Sequence, residues 1–105
     1  MQIRFLPEAD AELAEARIWY ALQRDDLDLA LMQRIGEALD RIKDHPEGCP
    51  LVHQQLRRAI VRRFPFAIFY EVFADEIVVF AVFHSRRNPA QIKSRLKYFS
   101  PNRST

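Results

Sequence analysis

Apolar and polar residues alternate at the start of the chain, with Ile3 and Phe5 set between Gln2 and Arg4. That period of two predicts a short half-buried strand over residues 2–6. The period then lengthens. Ala9, Leu13, Ala16 and Tyr20 recur at i, i+4, i+7 and i+11 and form one stripe of a helix over about residues 8–22. Pro7 suits its first turn, where the missing N–H costs nothing, and Glu8, Asp10 and Glu12 complement the helix dipole. Asp25 or Asp26 can cap a second helix, whose apolar positions are Leu27, Leu31, Ile35, Ala38, Leu39 and Ile42 and which Pro46 ends. The link between the helices is a few residues, so they form an antiparallel hairpin. Residues 45–53, with Pro46, Gly48 and Pro50, read as a loop.

Three strands follow in the pattern. Residues 56–64 alternate loosely, with Arg58 and Arg62 on one face and Arg57 and Arg63 on the other, as in an edge strand. Residues 66–73 and 77–83 are almost continuously apolar, rich in β-branched and aromatic side chains, and joined by a hairpin turn over residues 74–76. A polar loop over residues 85–89, a short terminal helix to about Tyr98 and a flexible tail over about residues 100–105 complete the chain. The expected order is β-α-α-β-β-β-α: an α+β domain over residues 1–105, with the helical hairpin on one face of a largely antiparallel sheet.

Antiparallel sheets usually turn one polar face to water, and this one has two apolar faces. Phe66, Ile68, Tyr70 and Val72 point one way, and Ala67, Phe69, Glu71 and Phe73 the other. In the next strand Ile77, Val79, Ala81 and Phe83 oppose Val78, Phe80, Val82 and His84. Two helices cover one face, so part of the other, around Phe69 and Phe80, is expected to be exposed and to bind a partner.

Charge sharpens that expectation. Residues 1–53 carry six Lys/Arg against eleven acids, a net of −5, whereas residues 54–105 carry ten against three, a net of +7. A basic second half suits nucleic acid or an acidic protein segment. The single cysteine, Cys49, excludes an internal disulfide and fits a reducing cytoplasm. The N-terminus reads as free of a signal peptide, and the most apolar run, residues 77–83, is far short of the ~20 residues of a membrane span.

Little of the chain suggests a cofactor or a metal. His45, Cys49 and His53 stand at four-residue spacing, but Pro46, Gly48 and Pro50 break any helical geometry and no fourth ligand is in sight. Nucleophile triads, glycine-rich phosphate loops and paired carboxylates are all missing. Trp19 and Tyr20 read as hairpin packing. Glu71, among apolar neighbours, reads as paired with a nearby arginine.

The opening Phe5-Leu6-Pro7-Glu8-Ala9, with Leu13 and Trp19-Tyr20, resembles the start of the RelE/ParE toxins of type II toxin–antitoxin systems, the plasmid-stabilisation proteins. A stronger likeness lies in Arg62-Arg63-Phe64-Pro65-Phe66-Ala67-Ile68-Phe69-Tyr70-Glu71-Val72. Ile77-Val78-Val79-Phe80-Ala81-Val82-Phe83-His84 and Arg86-Arg87-Asn88-Pro89 extend it, so that it covers roughly residues 3–97. The resemblance implies a toxin neutralised by an antitoxin encoded beside it, which wraps an amphipathic segment over the toxin. Operator DNA would be reached only through that antitoxin.

Members of the superfamily act on different targets, and fold does not choose between them. RelE-like toxins cut messenger RNA on the ribosome, using basic residues and a tyrosine, whereas ParE-like toxins poison DNA gyrase by binding. The strand arginine of many RelE-like toxins aligns with Ala67, and their C-terminal tyrosine falls near Lys93, with Tyr98 further on. A later arginine is matched by Arg87, with Arg86 beside it, and His84 is a stand-in for a catalytic histidine. The pattern favours the ParE-like branch, with catalytic roles for Arg87, Arg86 and His84 only in the nuclease alternative. A third reading is a degenerate toxin that only binds antitoxin. Target or antitoxin contacts are expected from Arg58, Arg62, Arg63, Phe69, Phe80, Arg86, Arg87 and Lys93.

Overall fold

The computed structural model describes residues 1–86 and 94–95. The strand β1 (Gln2–Phe5) leads directly into α1 (Pro7–Gln23), and α2 (Leu27–Asp44) returns antiparallel to it. Then come β2 (Leu51–His53), β3 (Leu56–Val61), β4 (Phe66–Val72) and β5 (Glu76–His84), in one sheet of order β1-β5-β4-β3-β2. The expected α+β arrangement is present, with β1 parallel to β5 and the other pairs antiparallel. Of the expected terminal helix, only Ser94 and Arg95, in helical conformation, fall within the described residues; the tail lies outside them.

Two boundaries differ from the sequence pattern. Residues 51–53, read as loop, form β2, because Leu51 and His53 pair with Arg57 and Leu56 across an irregular register. Their side chains are exposed, so burial leaves no period to detect. This strand covers the first half of β3, so Arg57 and Arg58 do not stand on an open sheet edge. The edge is β2, kept to three residues, and shortness itself limits edge-to-edge pairing. At the other boundary, Asp26 does occupy the N-cap position of α2, but its side chain makes no capping bond and its backbone is left-handed at φ 66°.

The core lies between the hairpin and the sheet. Leu31, Ile35, Ala38 and Ile42 of α2 meet Val61, Ile68, Tyr70, Ile77 and Val79, while α1 contributes Ala9 and Ala16. Burial pushes the Tyr70 phenol above its ordinary pKa, and its hydroxyl donates to the Pro46 carbonyl at 2.8 Å. Arg57 donates to the carbonyls of Glu47 and Cys49 at 3.0 and 2.6 Å. These bonds tie the α2–β2 loop to the sheet. On β1, Arg4 grips Glu76 with two bonds of 3.1 Å. The same pairing raises the arginine pKa and lowers that of the carboxylate.

A bulge in β5 decides which side chains face where. Tyr70 pairs with Val79 but Phe69 pairs with Ala81, which leaves Phe80 as the extra residue. An inserted residue shifts the alternation by one. Ile77 and Val79 face the helices as expected, but beyond the bulge Val82 takes that side and Phe83 does not. His84 follows Val82 to the helix side, where its ring meets Phe66 at 5.2 Å.

Candidate functional site

The second sheet face is closed. Leu56, Ala67, Phe69, Val78, Phe80 and Phe83 form a second apolar cluster on it. Phe69 is 5% and Phe80 6% exposed, so neither presents a free docking surface, contrary to the expectation from the sequence. The expectation left only the short terminal helix as cover for this face, and of that segment Ser94 and Arg95 alone fall within the described residues. Leu6 and Phe73 also pack against this cluster, and the Arg95 guanidinium lies 5.3 Å from the Phe83 ring centre. Burying these rings removes a large apolar area from water, which drives the chain to cover them. Glu71 is buried as well, at 5%.

The bulge also creates a local need that α1 meets. β1 ends opposite Val79, and Leu6 donates its amide to the Val79 carbonyl at 3.0 Å. Past that point the Val82 amide donates to Glu12 Oε1 at 2.9 Å, and Arg95 donates to the Phe80 carbonyl at 2.8 Å. Glu12 and Arg95 are themselves an ion pair. Two side chains thus serve the strand edge where β1 no longer can. Glu12, read from the sequence only as a helix-dipole residue, has this second role, and a sequence carries no signal for it because the bulge is not visible there.

The basic residues divide into separate places. Arg58 is exposed on β3, and Arg62 and Arg63 are exposed in the β3–β4 turn, with Arg63 left-handed at φ 70°. Arg63 joins Arg24 and Arg34 at the rim of a cleft of about 420 Å³ floored by Tyr20, Leu27 and Phe64. Arg34 is partly neutralised by Glu37 at 3.0 Å. Arg86 is exposed after β5, and its amide donates to His84 Nδ1 at 3.0 Å, which places the proton of the neutral ring on Nε2. Arg87 and Lys93 lie outside the described residues.

His84 lines a cleft of about 340 Å³ with Glu12, Glu15, Trp19, Tyr20 and Phe66. Among the described residues no lysine or arginine lines that cleft, and the nearby Arg95 is paired with Glu12. Burial raises the Tyr20 phenol pKa. Trp19, expected to pack inside the hairpin, is 56% exposed and touches Tyr20 edge-on at 4.9 Å. Only Tyr20 of that pair packs inward, at 5.2 Å from Phe64. The i, i+4 relation of Glu15 and Trp19 puts a carboxylate and a ring on one helix face, a signal the apolar stripe masked. Among the described residues, no three His, Cys, Asp or Glu side chains are grouped to hold a metal, His45, Cys49 and His53 included. No helix of the described residues is long and apolar enough to cross a membrane.

Comparison with known proteins agrees with this architecture. A chain from the "Chromosomal ParDE TA system from P. aeruginosa" superposes with a TM-score of 0.70 at 20% identity, covering 80% of this chain and 95% of that one. No curated protein matches. The family described as "ParE toxin of type II toxin-antitoxin system, parDE" matches residues 3–89, nearly the whole described fold. The chain belongs to the ParE family of type II toxin–antitoxin toxins.

Proposed function

We propose that this toxin acts by binding and inhibiting DNA gyrase in the cytoplasm and is held in check by a cognate antitoxin. The observation that carries the reading is the ParE family match over residues 3–89. The chemistry around His84 supports binding over cleavage. Cutting RNA through a 2′-hydroxyl needs a base, a cation on the crowded phosphate and an acid for the leaving oxygen. Ala67, aligned with the strand arginine of many RelE-like toxins, is apolar and buried. His84 shares its cleft with Glu15, whose exposed carboxylate repels a phosphodiester, and with Glu12, whose charge Arg95 offsets.

Arg58, Arg62, Arg63 and Arg86 are exposed guanidiniums in the basic half of the chain, and Arg87 and Lys93 extend that set along the sequence. Guanidinium forks match carboxylates, so these residues suit an acidic segment of the antitoxin or of the target. The antitoxin, in this reading, also supplies whatever contact the complex makes with operator DNA.

Induction of the chain alone in growing bacteria tests the proposal, with nascent protein synthesis and DNA-damage signalling read in the same culture. Damage signalling and filamentation, with translation initially intact, is the expected result. An early collapse of translation with cut messenger RNA overturns it in favour of a ribosome-dependent nuclease. Arg87→Ala would then abolish toxicity while antitoxin still binds. A folded protein with no effect on growth leaves a module that only binds antitoxin.

A further inference from the structure

We propose that the cleft between α1 and the end of β5 is a binding site for an organic cation, a guanidinium or alkylammonium group. Its walls carry a chain of four rings. Trp19 meets Tyr20 at 4.9 Å and 87°, Tyr20 faces Phe66 at 6.2 Å and 66°, and Phe66 meets His84 at 5.2 Å and 74°. Two carboxylates, Glu12 and Glu15, share the lining, and among the described residues no lysine or arginine is part of it. Aromatic rings attract cations through their quadrupoles, and adjacent carboxylates set the sign of the field.

The two acids have different standing. Glu12 already accepts the Val82 amide and pairs with Arg95, so its role is fixed by the fold. Glu15 is exposed and makes no ion pair among the described residues. It is the carboxylate free to receive an incoming charge. A hard metal ion would ask for several oxygen ligands at once, which one available carboxylate and a row of rings do not offer. An anion meets the uncompensated Glu15 carboxylate and gains nothing from Glu12, whose charge Arg95 already offsets. The volume of about 340 Å³ lies within the range of small-ligand sites and takes a side chain the size of arginine. The assignment concerns the ligand chemistry of this cleft and does not depend on which cellular target the toxin has.

Trp19 is the only tryptophan in the chain, so its intrinsic fluorescence reports on the cleft directly. The experiment titrates the full chain with arginine amide, with a short arginine-centred peptide and with the matching citrulline compounds, which keep the shape and lose the charge. Saturable changes with the arginine compounds, at least tenfold weaker with citrulline, are expected. Glu15→Gln should weaken arginine binding by tenfold or more while circular dichroism stays unchanged. A tighter fit for the peptide than for arginine amide assigns the cleft to the side chain of a partner protein. Equal affinities assign it to a free small cation. The proposal is overturned if no saturable change occurs, if citrulline binds as well as arginine, or if folded Glu15→Gln binds arginine undiminished.

Discussion

The two helices are nearly equal in length, 17 and 18 residues, and they divide their apolar residues in opposite ways. On α2 the large side chains Leu31, Ile35 and Ile42 point into the core, while Gln33, Asp40, Lys43 and Asp44 meet water and Leu29 alone of its large apolar residues is exposed, at 60%. On α1 the buried positions are the small Ala9 and Ala16, Leu13 and Tyr20 are half-buried against the core, and three large apolar residues sit outside. Ile18 is 62%, Trp19 56% and Leu22 79% exposed, with Ala11, Ala14 and Ala21 exposed around them. A helix that is apolar on both sides ordinarily has neighbours on both sides. The comparison separates a helix that builds the core from one that uses little of its apolar content to do so. It also places two rings of the α1–β5 cleft, Trp19 and Tyr20, and its free carboxylate on the helix whose outer face is open.

The sharpest way to break that contrast is to truncate each helix where its burden lies. Ile35→Ala removes a side chain that is 2% exposed, and it should cost about 2–5 kcal/mol of unfolding free energy in denaturant titration. A loss below about 1 kcal/mol would mean that α2 is not the principal wall of the core.

Glu12→Ala probes the bond from α1 to the Val82 amide of the sheet. It strands the Val82 amide and should cost about 1–3 kcal/mol. Hydrogen exchange at Val82 should quicken. Glu12→Gln, which keeps an acceptor oxygen, should restore most of the protection there. Equal protection in both variants and the wild type would show that the edge of β5 does not rely on this bond.

Gly36→Ala tests the outer side of α2 as a plain solvated helix. An added Cβ meets no atom within 4 Å, so the substitution should stabilise by about 0.5–1 kcal/mol through helix propensity alone. Destabilisation would reveal a contact on that face.

How much of this was legible in the sequence follows from what each segment buries. The stripes Ala9–Leu13–Ala16–Tyr20 and Leu31–Ile35–Ala38–Ile42 read correctly because one-sided burial writes a 3.6-residue period into the chain. Strand β2 left no such mark, since Leu51, Val52 and His53 are all exposed and its identity rests on backbone pairing. In β5 the apolar run showed a strand but not its phase. Val78 to Phe83 are apolar on both faces, so nothing betrayed the bulge at Phe80 that turns His84 toward α1. The same blindness led Phe69 and Phe80 to be read as an open surface. A strand that is apolar on both sides shows that both sides need cover, and not which side goes without. The candidate cation cleft was harder still, because Glu15 and Trp19 come from α1 while Phe66 and His84 come from distant strands.

Leu22→Ser should have the smallest effect on stability and is the most direct test of α1 as an open face. At 79% exposure the side chain gives up little buried area, so the unfolding free energy should move by no more than about 0.5 kcal/mol. If α1 presents its apolar residues to a partner, the same substitution should weaken that complex, read by calorimetry against the purified partner, while the free chain melts as before. Asp40→Ser on α2, also exposed, is the matched control and should change neither quantity. Loss of stability in Leu22→Ser would place that side chain against a part of the chain itself. Unchanged stability together with unchanged binding would show that the outer face of α1 is apolar without being an interface.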